Sequence, residues 1–265
     1  MSLSRFWLPA WTLTLRELVR FYRQGNRVVG AVATPLLFWL MLGFGFRSSF
    51  QLPGASNMSS LEYLYPGSIV LNILFTSIFS SISLIQDRND GFLQAVLVAP
   101  LNRSALVLGK ILGGALLATS QGILFLALAP LLGIHMSIFS FVAASFVILL
   151  ISLALTAVGF ACAWKMQSVQ GFHAIMNLVL MPMWILSGSF FPMVGAPIGL
   201  KIAMMANPLT YGVIALRQSL YLATPVSFYE APGLGFSLLI TVLFGGIVFG
   251  ISAYLAKGVT KGDIQ

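Results

Sequence analysis

Between Gln86 and Lys110 runs QDRNDGFLQAVLVAPLNRSALVLGK, a stretch that combines charge, a turn signal and a short amphipathic repeat between two apolar runs. Asp87, Arg88, Asn89 and Asp90 open it and Gly91 follows. Phe92, Leu93, Val96 and Leu97 make one apolar face, with Arg103 and Lys110 at the exit. These residue types form ion pairs and dock on other proteins, but they are not a catalytic set. Pro100 has no N–H and disfavours helical geometry at Ala99, so it predicts a stop. Residues 87–99 are therefore expected to form a short helix that touches a partner.

Elsewhere the chemistry is notable for what is missing. No GxxxxGK[ST] occurs: Gly109-Lys110 is followed by Ile111 and lacks the upstream glycine, so this chain is not expected to cradle ATP phosphates. HExxH and GxSxG are absent as well, which argues against an intramembrane hydrolase. His135 and His173 have no second His or carboxylate at ligand spacing, and a single cysteine, Cys162, can form no thiolate cluster. No metal or cofactor is expected on this chain, and any ATP hydrolysis must come from a partner.

The elements that would position the 87–99 segment follow from composition. With 58% hydrophobic and 8% charged residues and a mean hydropathy of +0.97, a water-soluble globule is excluded. A hydrocarbon core about 30 Å thick needs on the order of 20 apolar residues per helix. Six runs qualify, at 28–46, 65–85, 105–132, 137–164, 172–191 and 235–256, giving an all-α polytopic membrane protein of one domain, 1–265. With the N-terminus inside, Arg5, Arg16, Arg20, Arg23, Arg27, Arg88, Arg103, Lys110, Lys165, Lys257 and Lys261 face the cytoplasm. Only Arg47, Lys201 and Arg217 face out, so eleven of the fourteen basic residues obey the positive-inside rule and both termini are expected to be cytoplasmic. The net charge of +8 is thus a topology signal; no basic stripe with interleaved aromatics points to nucleic acid.

Residues 4–22 alternate Phe6, Trp7, Leu8, Trp11, Leu15, Leu18 and Val19 with Arg5, Arg16, Glu17, Arg20 and Arg23, the pattern of an interface helix with tryptophans at headgroup depth and arginines toward anionic lipid. Residues 194–223 hold two apolar pieces too short to cross, separated by Asn207-Pro208, and are expected to be outer re-entrant helices forming a lid. Inside the spans, Asn72, Ser80, Gln121 and Asn177 either bond helix to helix, the simpler reading, or line a path. Gly109, Gly113 and Gly114 predict close helix packing, and so does the Gly246/Gly250 pair, while Lys110 is expected to snorkel to the interface. All six acids lie outside the expected spans, which weighs against a proton- or sodium-coupled carrier.

The segment 87–110 resembles that of ABC-2 type permeases, in which an acidic-basic pair and a glycine precede a short helix, a proline, a basic residue and Gly-Lys. MNLVLMPMWILSGSFFP, 176–192, resembles the family's proline-containing fifth span, and NPLTYGVIALRQSLY, 207–221, its outer segment before the last span. The nearest subgroup resembles drug-resistance and nodulation-factor exporter permeases; Asn89-Asp90 departs from it where many members carry glutamates. The resemblance implies a cytoplasmic-membrane exporter subunit for a hydrophobic or amphipathic molecule. Two permease copies, a homodimer in the simplest case, would sit above two ATP-binding cassette subunits that bind ATP-Mg. Residues 87–99 would be the coupling helix, with Asp87, Arg88, Asn89, Asp90, Gly91, Phe92, Leu93, Val96, Leu97 and Arg103 in that contact. Asn72, Phe75, Phe79, Met176, Leu180 and Met183 would line the substrate path. The competing reading is an ion-gradient-driven carrier or channel that works with no ATPase.

Overall fold

The structure, a computed structural model, describes residues 4–23, 25–45, 60–99, 102–134, 136–193, 195–222 and 232–258. Pro100, Arg47, His135, Lys261 and the polar segment after the first expected span lie outside them. Ten α-helices are formed among the described residues: α1 (Ser4–Tyr22), α2 (Gly25–Gly45), α3 (Ser60–Asn89), α4 (Phe92–Val98), α5 (Arg103–Leu126), α6 (Ile138–Trp164), α7 (Val169–Trp184), α8 (Ile198–Ala206), α9 (Pro208–Leu220) and α10 (Leu234–Leu255). No strand occurs among the same residues. Five helices are long and apolar enough to cross a bilayer: α3, α5 with its extension to Leu131, α6, α7 with its extension to Ser189, and α10. Counting α8 and α9 as one broken span makes six. The span expected at 28–46 falls on α2, a helix of 21 residues that contains Pro35.

The helix starts are written locally. Asn102, Ser137, Ser168 and Asn207 each accept a hydrogen bond from a backbone N–H of the first turn of α5, α6, α7 and α9, satisfying donors that the helix itself leaves unpaired. Pro208 then sits at the first position of α9, where its missing N–H costs nothing.

Helix α3 is the axis of the bundle. Its most apolar window is 89% buried, whereas that of α10 is only 17% buried, so α3 is wrapped by protein and α10 by its surroundings. Helices α2, α5, α6 and α7 pack around α3. Small residues let them come close: a Cβ on Gly114 of α5 would lie 2.4 Å from the Ser80 hydroxyl, and one on Gly159 of α6 would lie 2.2 Å from that of Ser81. Polar groups also bond across the same contacts, through Asn72 Nδ2 to the Gln121 carbonyl (3.1 Å) and Thr156 to Ser77 (3.2 Å). This is the packing and hydrogen bonding that membrane helices use when no hydrophobic driving force separates helix from lipid.

Two expected features take a definite form. In the 194–223 pair α9 is a packed helix: Leu209, Val213, Leu216 and Leu220 bury one face and Gly212 and Ala215 allow close approach, so that it seats against α6 and α10. Only α8, bent from it by 87°, keeps Ile198, Ile202 and Met205 at the surface. The glycine pair of α10 is the second case. Gly246 and Gly250 have nothing within 4 Å of an added Cβ, and Gly245, facing Ala154, makes the close contact instead.

Candidate functional site

The 87–99 segment divides into two parts. α3 continues through Asn89, carried by the Asp90 N–H to Gln86 carbonyl bond (2.8 Å), and the chain turns at Gly91, whose φ of 76° suits a residue with no Cβ. α4 then runs from Phe92 to Val98. Asp87 and Arg88 consequently belong to the last turn of the central helix and are buried, while Asn89 and Asp90 form the exposed corner.

Asp87, at 0% exposure, is the hub of an ion cluster. Arg16 of α1 grips its carboxylate with both terminal nitrogens, at 2.8 and 2.7 Å, in the planar fork that guanidinium offers a carboxylate. Arg20 adds a bond of 2.7 Å to one oxygen and reaches the Gln86 amide oxygen at 3.0 Å. Lys110 of α5 donates to the other oxygen, and also to Glu17 at 2.7 Å and Ser83 at 3.3 Å. Lys110 therefore does not snorkel. It is buried because two carboxylates meet it there, and Gly109 and Gly113 let α1 lie close enough to deliver Glu17. Hydrogen bonding to Asp87 pushes the Arg16 guanidinium above its ordinary pKa, so it stays charged. Arg16 also stacks over the Phe92 ring, 3.7 Å from its centroid, which joins α1 to α4 directly.

Two further cations tie this corner to the remaining helices. Arg88 donates to the carbonyls of Trp164 and Met166, both at 2.7 Å, at the C-terminal end of α6. Arg103 does the same for Lys257 (2.8 Å) and Ala256 (3.3 Å) after α10. Helix C-termini carry unpaired carbonyls and partial negative charge, so each arginine is both a cap and a counter-charge. The α3–α4–α5 elbow is thus fastened to α1, α6 and α10 by named side chains.

Of the expected coupling residues, Asp87 and Arg88 are internal, Leu93 anchors α4 in the core, and Phe92, Val96 and Leu97 are half-buried against it. The accessible surface of the elbow is Asn89, Asp90 (side chain 68% exposed), Ala95 and Val98 (86% exposed). Ala95 and Val98, three residues apart on one face, were not singled out from the sequence. Neither were Arg16, Glu17 and Arg20 as partners of Asp87; the only local hint is that Arg16 and Arg20 stand four apart on the side of α1 opposite its tryptophans. They face the cluster instead of turning wholly to lipid.

The residues expected along a substrate path are dispersed by burial. Asn72 donates its Nδ2 to the Gln121 carbonyl while its buried Oδ1 has no partner among the described residues, and Met176 and Leu180 are fully enclosed within the chain. Phe75, Phe79 and Met183 are half-buried at the edge of the bundle, with Phe75 stacked on Phe79 and Phe79 edge-on to His173. Asn177 points out of α7. No group of three His, Cys, Asp or Glu side chains suited to a metal occurs among the described residues.

The ABC-2 type transporter family model matches residues 10–221. Similar curated proteins include the putative transport permease ycf38 of Cyanophora paradoxa, 26% identical over 260 residues, covering 94% of this chain and 89% of that one. The ycf38 permease of Porphyra purpurea is 23% identical over 271 residues, with 96% and 89% covered. The inner membrane transport permease YadH of Escherichia coli (strain K12) is 23% identical over 220 residues, with 80% and 82% covered. A family match that runs from within α1 through the elbow to the end of α9 is decisive: the chain belongs to the ABC-2 type transporter family.

Proposed function

We propose that this transport permease is the membrane subunit of an ATP-driven exporter and that a separate ATP-binding cassette ATPase docks on the α3–α4–α5 elbow. One observation carries the reading. A short helix with an exposed tip at Asn89, Asp90, Ala95 and Val98 is fastened by charged side chains to three other helices, so a push on the tip is delivered to the bundle as a whole. Family membership supports an ATPase partner holding ATP-Mg. The basic residues at the elbow end, Arg16, Arg20, Arg23, Arg88, Arg103, Lys110, Lys165 and Lys257, support a cytoplasmic placement of that end. The name of the YadH relative supports an inner-membrane location.

ATP binding would close the ATPase pair and shift α4, biasing two copies of the permease between two packed arrangements. The cargo is hydrophobic or amphipathic, in keeping with the half-buried Phe75, Phe79 and Met183 as lining where two copies face each other. The test is transport in vesicles holding the permease and its ATPase. Ala95→Glu with Val98→Glu, both at exposed positions, is expected to cut ATP-dependent transport more than tenfold with insertion unchanged. Full activity in that variant would refute docking at the tip.

In the second reading, an ion-gradient-driven carrier or channel, the buried Asp87, Glu17 and Lys110 would be the ionisable groups that respond to a gradient. Transport in permease-only vesicles under a proton gradient would establish it, and transport only with ATP and the ATPase would eliminate it.

A further inference from the structure

We infer that α1 carries a binding site for the phosphate headgroup of an acidic phospholipid, in the hollow lined by Leu15, Arg16, Val19, Arg20 and Arg23. The hollow has a volume of about 520 Å³, within the range of small-molecule sites. Three of its lining side chains are cationic and two are apolar. Charge bookkeeping sets the ligand's charge: Arg16, Arg20, Arg23 and Lys110 supply four positive charges, and Glu17, Asp87 and Asp90, the acids facing them, supply three negative ones. Arg23 makes no ion pair among the described residues and stands at the open side. One negative charge completes the set, which is the charge of a phosphodiester.

The surroundings select a lipid over an acidic peptide. The wall residues Leu15 and Val19, which border the arginines, belong to an exposed apolar row that continues through Leu8 and Trp11. Acyl chains can lie along that row while the headgroup meets the guanidinium groups, the arrangement of a helix seated in the bilayer interface. The inner face of α1 is fixed independently, by Phe21 against Leu117 and by a 2.8 Å bond between Tyr22 and Ser120, so the hollow is presented by a positioned helix. Because Arg16 and Arg20 also hold Asp87, the headgroup would touch the same side chains that fasten the elbow.

The site is tested by native mass spectrometry of the purified full chain titrated with phosphatidylglycerol or phosphatidylcholine of matched acyl chains. Phosphatidylglycerol is expected to be retained at least fivefold better. Arg23→Gln, at an exposed position, is expected to lose about fivefold of that binding, the worth of one arginine near an anionic surface. Its thermal midpoint without lipid should match that of the unaltered chain, which separates lost binding from lost folding. Equal retention of the two lipids, or unchanged binding by the variant, would overturn the inference. Complete displacement by inorganic phosphate would overturn it too, since the apolar wall would then contribute nothing. Lipid binding needs no ATPase, so its failure leaves the coupling proposal standing, and the reverse holds.

Discussion

The two ends of the bundle solve the same problem, holding helix ends together, with different chemistry. At the elbow end, ionised side chains from α1, α3 and α5 converge on Asp87, and arginines reach across to the ends of α6 and the segment after α10. At the opposite end the contacts run from side-chain donors to backbone carbonyls. α7 runs into a π-turn at Ile185–Ser189, with Gly188 left-handed at φ 78°, and that break frees carbonyls that other helices must satisfy. Arg217 and Tyr63 donate to Gly188 (3.0 and 3.1 Å), Asn207 to Met183 (2.6 Å), and Trp184 of α7 to Gly67 of α3 (2.7 Å). The Asp87 carboxylate takes four donors on its two oxygens, so at the elbow end one donor can leave without unpairing the acceptor.

That contrast can be broken first at Asp87. Asp87→Asn leaves Arg16, Arg20 and Lys110 facing a neutral amide, and removing one partner of a buried ion cluster costs about 3–5 kcal/mol. Denaturation in detergent should show it, and adding Lys110→Met should deepen the loss, because the buried Glu17 carboxylate then loses its 2.7 Å partner. A double variant no less stable than the single one would mean that Lys110 does not hold Glu17 as described.

A smaller loss, about 1–3 kcal/mol, is expected at the other end for Arg217→Met, which strips a donor from the buried Gly188 carbonyl while Tyr63 remains. The same measurement at low and high salt sharpens the comparison. Arg16 and Arg20, which are partly exposed, should make the stability of the elbow end salt-dependent, while the difference caused by Arg217→Met should not change with salt. Arg103→Gln comes next, at about 0.5–1.5 kcal/mol for the loss of a helix-end cap, read from hydrogen exchange at the end of α10. Asp90→Asn should lie within about 0.5 kcal/mol of the unaltered chain, since its side chain is largely in solvent and only 4.0 Å from Arg20 at best.

Helices and their faces could be read from the residues because length and apolar runs report on the bilayer, and N-caps such as Ser137 and Ser168 report on helix starts. The turn at Gly91 was not read, since residues 87–99 were expected to run as one helix and the structure divides them there. What joins the site was not legible either. Glu17 and Lys110 are 93 residues apart and Arg16 and Asp87 are 71 apart, and nothing in either neighbourhood says that α1 lies along α5. Lys110 read alone is a snorkelling lysine; beside Asp87 and Glu17 it is a buried cation. Likewise Asn207-Pro208 announces a new helix, but only packing against α6 and α10 decides that α9 is enclosed.

The central claim is that the elbow's exposed tip meets an ATPase. It is tested most directly by a single cysteine introduced through Val98→Cys in a Cys162→Ser background, crosslinked in membranes that contain the co-expressed ATPase. A permease–ATPase adduct whose yield changes on adding ATP is the predicted result. Efficient labelling of the introduced thiol by a small reagent, with no adduct to the ATPase under either condition, would contradict it.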